Sequence, residues 1–197
     1  MAQEHTFASP GPAGLAALAV ACFGFGAVFN GWVKVEGFPI LFAWLVGGGV
    51  VQYTVAVMEL KDHNITGGNV FLFFSAFFMF GASLSLLSKF FMIKFGMAPH
   101  GYIEGWTWMA GAGFLTLATP AYLKSNKILF FVVFLLDFVL RGIVGLDMGK
   151  LDPAVGKPLV GWGLILCGWG GVYLSGAIVV NTVFGRMIYP VPAPFVK

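Results

Sequence analysis

Asp137 and Arg141 stand four residues apart in an otherwise apolar run, a spacing that puts two side chains on one helix face and permits an ion pair along it. Glu59 and Gln52 belong to a second such run, and Asn30 and Asn181 lie close to the ends of two others. Ionisable groups at membrane depth are costly and face protein or water. Each of these residues is therefore a candidate for a polar path or for a seal between helices, and Asp137 with Arg141 fits both. None of them builds catalytic machinery. His5, His63 and His100 lie far apart and outside the apolar runs, whereas Cys22 and Cys167 are each embedded in one. No Ser/His/Asp or Cys/His pairing, metal-ligand spacing or glycine-rich phosphate loop is present. The expectation is a protein that is not an enzyme and uses neither cofactor nor metal.

The elements that position these groups follow from composition. Of 197 residues 59% are apolar and only 10% charged, and mean hydropathy is +0.91. Soluble domains carry about 25% charged residues, so this chain belongs in a bilayer. Its net charge of +3 is dispersed, with no basic run that would suit nucleic acid. A spanning helix needs roughly 17 to 25 mostly apolar residues. Six segments have that length: about 13–33, 38–59, 68–88, 102–122, 128–146 and 159–183. The fold class is an all-α integral membrane bundle of six transmembrane helices in a single domain. Residues 147–158, with Gly149, Asp152-Pro153 and Lys157-Pro158, read as a turn-rich surface loop. No Lys or Arg precedes Lys34, so the basic region of a signal peptide is missing and the first segment is expected to stay as a membrane helix.

Charge leaves orientation undetermined. With six crossings, one side holds Lys61, Lys124, Lys127, Arg186 and Lys197, and the other Lys34, Lys89, Lys94, Lys150 and Lys157, a tie under the positive-inside rule. The 28 glycines, many inside the apolar segments, predict close helix packing. Between the second and third segments, Glu59 and the turn Asn64 to Gly67 lead into Phe71, Phe74 and Phe78. Spacings of three and four stack those rings on one helix face, which either lines a path or packs against a neighbour.

Three stretches resemble a known family. Ser9-Pro-Gly-Pro-Ala-Gly-Leu15 is similar to the opening signature of the acetate uptake transporters, with Ser9, Gly11 and Ala13 departing from it. Gly48, Gln52, Glu59, Asn64, Gly67, Phe71 and Phe74 follow the family's pattern through the second and third helices. Tyr173-Leu174, Asn181, Phe184-Gly-Arg186 and Pro190 resemble its closing pattern. At Ser9 a hydroxyl can still cap a helix start, and Pro10 and Pro12 keep a rigid entry.

The resemblance implies a homo-hexamer of six-helix protomers in the cell (inner or plasma) membrane with cytoplasmic termini, each protomer passing acetate and related small carboxylates, and possible protons with them. It also implies a constriction of three side chains, which by position are Leu18, Phe74 and Leu136, with a mouth and polar path formed by Ser9, Gln52, Glu59, Asn64, Gly67 and Phe71. Positions 15, 18, 22 and 25 share one helix face, as 71, 74 and 78 do, and as Leu136 does with Leu140. Asp137 and Arg141, rotated about 100 degrees from Leu136, flank the path or meet a neighbouring helix. The function expected is a carboxylate channel or transporter. A channel for ammonia or another small neutral solute, and a non-transporting membrane subunit of a larger complex, stay open beside it, as do passive conduction and proton symport.

Overall fold

The computed structural model describes residues 8–196; His5 and Lys197 lie outside them. The described residues form helices and turns only. These are α1 (Gly11–Phe29), α2 (Phe38–Lys61), α3 (Ile65–Lys94), α4 (Tyr102–Ala118), α5 (Lys127–Asp147) and α6 (Pro153–Phe184). Five of them are long and apolar enough to cross a membrane; α4, with 17 residues, continues into a 3-10 turn at Thr119–Lys124. Large apolar side chains such as Trp44, Leu117 and Val183 stand on the outside, where lipid replaces water as the solvent. This is a multi-pass membrane protein.

Local chemistry sets the helix ends. Pro10 precedes α1 and Pro12 sits in its first turn, where the missing N–H costs nothing. Ser9 lies outside that helix and no side chain caps it, contrary to the cap expected from its hydroxyl. The helix stops at Phe29, short of residue 33, because Asn30 turns its side chain onto the Gly26 carbonyl at 2.9 Å and Gly31 adopts φ +72°. Asn64, Asn126 and Asp152 cap α3, α5 and α6 by accepting from the N–H groups of Gly67, Leu129 and Ala154.

The Asp152 cap moves α6 forward. With Pro153 as its first residue the helix begins there rather than at 159, so Pro158 lies inside it and the surface loop shrinks to a few residues. In the same way α3 runs on past Ser88 to Lys94, and its middle, Phe74–Gly81, is a π-helix. The wider turn sets Phe74, Ser75, Phe78 and Met79 inward together. Ser75 Oγ donates to the Gly49 carbonyl of α2 at 2.9 Å.

Small residues set the distances between helices, as expected where association relies on van der Waals contact. At Gly171 of α6, a methyl group would lie 3.0 Å from the Leu15 carbonyl of α1, so these backbones touch and any larger residue would part them. Gly161 of α6 lies against the Asn30 carboxamide in the same seam. On the other side of α6, Val139 and Val132 of α5 pack over Gly163 and Gly170. The core between the helices is filled by Leu45, Phe78, Met79, Leu115, Leu140 and Leu164, all fully buried.

Candidate functional site

Leu18 of α1, Phe74 of α3 and Leu136 of α5 come together on one narrow cavity of about 30 Å³, room enough to hold water. All three are buried. Gln52 of α2 and Tyr122 of the 3-10 turn supply its polar lining, and the half-buried Phe71 supplies another wall. Larger concavities exist, of about 630 Å³ between α1 and α2 and about 510 Å³ between α3 and α4, but they are open apolar grooves on the outer faces.

Gln52 is completely buried. Its Nε2 donates to the Gly14 carbonyl at 3.3 Å, while its Oε1 has no hydrogen-bond partner among the described residues. The Phe71 ring lies over the same Gly14, filling the space a methyl group would need. A buried acceptor without a partner costs about 1–3 kcal/mol, which a passing water or an acid O–H would relieve.

On one side of this cavity Glu59, Asn64 and Gly67 form a single hydrogen-bonded group. Asn64 donates Nδ2 to Glu59 Oε2 and accepts through Oδ1 from the Gly67 N–H at 3.0 Å. The other Glu59 oxygen lies against the start of α1, beside Gly11, so the carboxylate sits between the first turns of α1 and α3. Both helix dipoles favour an anion there. Tyr122 is buried close by. Ser9, exposed, lies beside Gly11 at the outer edge of this group.

Asp137 and Arg141 pair as their spacing allows, Nη2 donating to Oδ2 at 2.9 Å. Thr116 of α4 completes the arrangement, donating to Asp137 Oδ1 at 2.7 Å and accepting from Arg141 at 2.8 Å. The pair therefore meets a neighbouring helix and is absent from the walls of the narrow cavity.

On the other side of the cavity lies a group of charged residues near helix ends. Lys89 near the end of α3 pairs with Glu104 in the first turn of α4, and Ser85 donates to the same carboxylate. With Asp147, the last residue of α5, they line a pocket of about 160 Å³ whose inner wall includes Phe25, Phe78 and Ile143. Apart from charge type and position near helix ends, nothing in the sequence singles these residues out, and Tyr122 carried no signal at all. Among the described residues no group of His, Cys, Asp and Glu is arranged to hold a metal ion.

No protein-family model matches the chain. It is 27% identical over 189 residues to the succinate-acetate/proton symporter SatP of Escherichia coli K12 and equally to that of Shigella flexneri, matches that cover 93% of this chain and 95% of each relative. Its backbone superposes on the solved structure of the bacterial acetate channel SatP with a TM-score of 0.80, at 24% identity, covering 94% of this chain and 99% of that one. The resemblance to acetate uptake transporters read from the motifs is borne out by these matches.

Proposed function

We propose that this chain is a membrane transporter for acetate and related small monocarboxylates, with no catalytic activity. One observation carries the reading: a chain similar to the SatP symporters over nearly its whole length encloses a cavity on which Leu18, Phe74 and Leu136 converge. A carboxylic acid with a pKa near 4 is almost entirely anionic at neutral pH and needs a route through the bilayer.

In this reading the three apolar side chains form the narrowest point and hold water out, so dehydration of the carboxylate is the main barrier. The substrate methyl group suits that ring, and Gln52 provides hydrogen bonding beside it. Glu59, Asn64 and Gly67, with Ser9 at the edge, form one mouth, and Asp137 with Arg141 seals α5 to α4. We infer further that α4 crosses the membrane as a sixth span, that the protein lies in the cell membrane with cytoplasmic termini, and that protomers assemble as a hexamer. Supporting the crossing, α4 runs from Glu104, beside Lys89, to the turn holding Tyr122, near Glu59.

Labelled acetate uptake into liposomes containing only this chain tests the proposal. Saturable uptake absent from protein-free liposomes is expected. No acetate uptake, with methylammonium entering instead or nothing entering, overturns it.

A further inference from the structure

The segment after α6 crosses to the turn that carries Tyr122. Gly185, at φ +62°, ends the helix and redirects the chain. Asn181 holds the bend that follows, its Oδ1 accepting from the N–H groups of Ile188 and Tyr189 at 2.7 and 2.9 Å. Tyr173 donates its hydroxyl to the Pro190 carbonyl at 2.9 Å. Beyond that point the partners lie on other elements. The Pro192 carbonyl accepts from the Lys127 N–H at 3.3 Å, and the Phe195 and Val196 N–H groups both donate to the Leu123 carbonyl, at 3.1 and 3.0 Å. The Phe195 ring packs on Phe130 and Phe131 of α5, with Lys127 Nζ 4.9 Å from its centre.

These partners are groups that helix geometry leaves in need of one. Lys127 opens α5, so its N–H has no acceptor within the helix, and Leu123 lies near the end of the 3-10 turn, where carbonyls run out of helical donors. Pro190, Pro192 and Pro194 alternate along the segment. Each fixes φ and removes a donor, so the segment crosses stiffly and brings its first two consecutive N–H groups to one carbonyl.

Both places it holds adjoin walls of the narrow cavity. Tyr122 immediately precedes Leu123, and Leu129 stands in the first turn of α5, two residues after Lys127. With about 30 Å³ between the walls, a small shift of either changes what fits. Phe195 is itself 48% exposed, so its ring acts on the position of the turn more than on the stability of the core.

We propose that residues 190–196 form a positioning strap that sets the gap between Tyr122 and Leu129, which makes Phe195 a specificity-determining residue for the transported carboxylate. This inference rests on the carboxylate-transport reading and deepens it, since it names what fixes the width of the path.

The test combines amide hydrogen exchange with uptake, both on the full chain in liposomes. Phe195→Ala removes the ring that seats the strap, so exchange at residues 122–125 should quicken, including the Ser125 N–H that donates to the Tyr122 carbonyl at 2.9 Å, while exchange in the helices stays parental. Succinate flux relative to acetate flux should rise about fivefold, the factor that one ordinary hydrogen bond is worth. Phe195→Tyr, which keeps the ring, should restore both. In a Tyr122→Ala background one side of the gap is already gone, and Phe195→Ala should leave the flux ratio where Tyr122→Ala set it. Unchanged exchange or an unchanged ratio in Phe195→Ala, a quickening spread over all the helices, or the full rise repeated on top of Tyr122→Ala overturns the strap while leaving acetate transport standing. Absence of any carboxylate flux in the parent fells the transport reading and the specificity role with it.

Discussion

Gln52 reaches from α2 to the carbonyl of Gly14 on α1, a contact that fixes its carboxamide at the edge of the narrow cavity and leaves Oε1 without a partner. The Gly14 carbonyl lies in the helix interior and keeps its backbone bond if the glutamine is removed. Gln52→Leu should therefore alter stability by no more than about 1 kcal/mol. If the carboxamide serves the substrate, acetate flux should fall roughly tenfold, about 1.4 kcal/mol. Uptake assays on protein of parental melting temperature check this, and unchanged flux would remove Gln52 from the path.

Leu136 is buried against the cavity together with Leu18 and Phe74. Leu136→Ala should lower stability by about 2–5 kcal/mol through lost contacts and the space left behind. The same space should raise succinate flux relative to acetate flux. Both fluxes measured for this variant and for Leu18→Ala and Phe74→Ala give the answer; selectivity unchanged in all three would defeat the constriction.

At Gly67 a side chain would meet Asn64 Nδ2 at 2.7 Å and Glu59 Oε2 at 3.2 Å. Gly67→Val should therefore break the group that joins Asn64 to Glu59, and lower transport severalfold while protein is still recovered from the membrane. Transport at the parental rate would place the mouth elsewhere.

The Asp137 side chain is 5% exposed and that of Arg141 48% exposed. Arg141→Gln strands a buried carboxylate, held then by Thr116 alone, at a cost of about 2–3 kcal/mol. Asp137→Asn strands a guanidinium that still reaches Thr116 and the face of Phe138. The double variant should recover part of either loss. Thermal unfolding in detergent provides the comparison, and a double variant clearly worse than both singles would rule the pair out as what joins α5 to α4.

Much of this arrangement was legible in the residues. Runs of apolar side chains located the helices, Asn64 to Gly67 marked the start of α3, and the four-residue spacing of Asp137 and Arg141 foretold their pairing. What escaped depends on partners distant in sequence. Lys89 follows Ser88, where the expected segment ends, and so looked like loop charge; the helix continues through Phe90, Phe91, Met92 and Ile93, and Lys89 pairs with Glu104 on another helix. Tyr122 joins the cavity from the 3-10 turn that follows α4, with Pro120 near its start. The π-helix at Phe74–Gly81 has no composition of its own, since its ring spacing suits an ordinary helix equally well.

The seam between α1 and α6 joins two helices that lie far apart along the chain. Gly171 meets Leu15 across about 150 residues of chain, which at a synthesis rate of about 5–20 residues per second separates their emergence by roughly eight to thirty seconds. Until then the inner face of α1 must wait in the membrane without its partner. A ribosome that stalls before α6 leaves that face open to whatever helix or protease arrives first, so premature termination ahead of Gly171 should yield a product that is degraded rather than a shortened transporter.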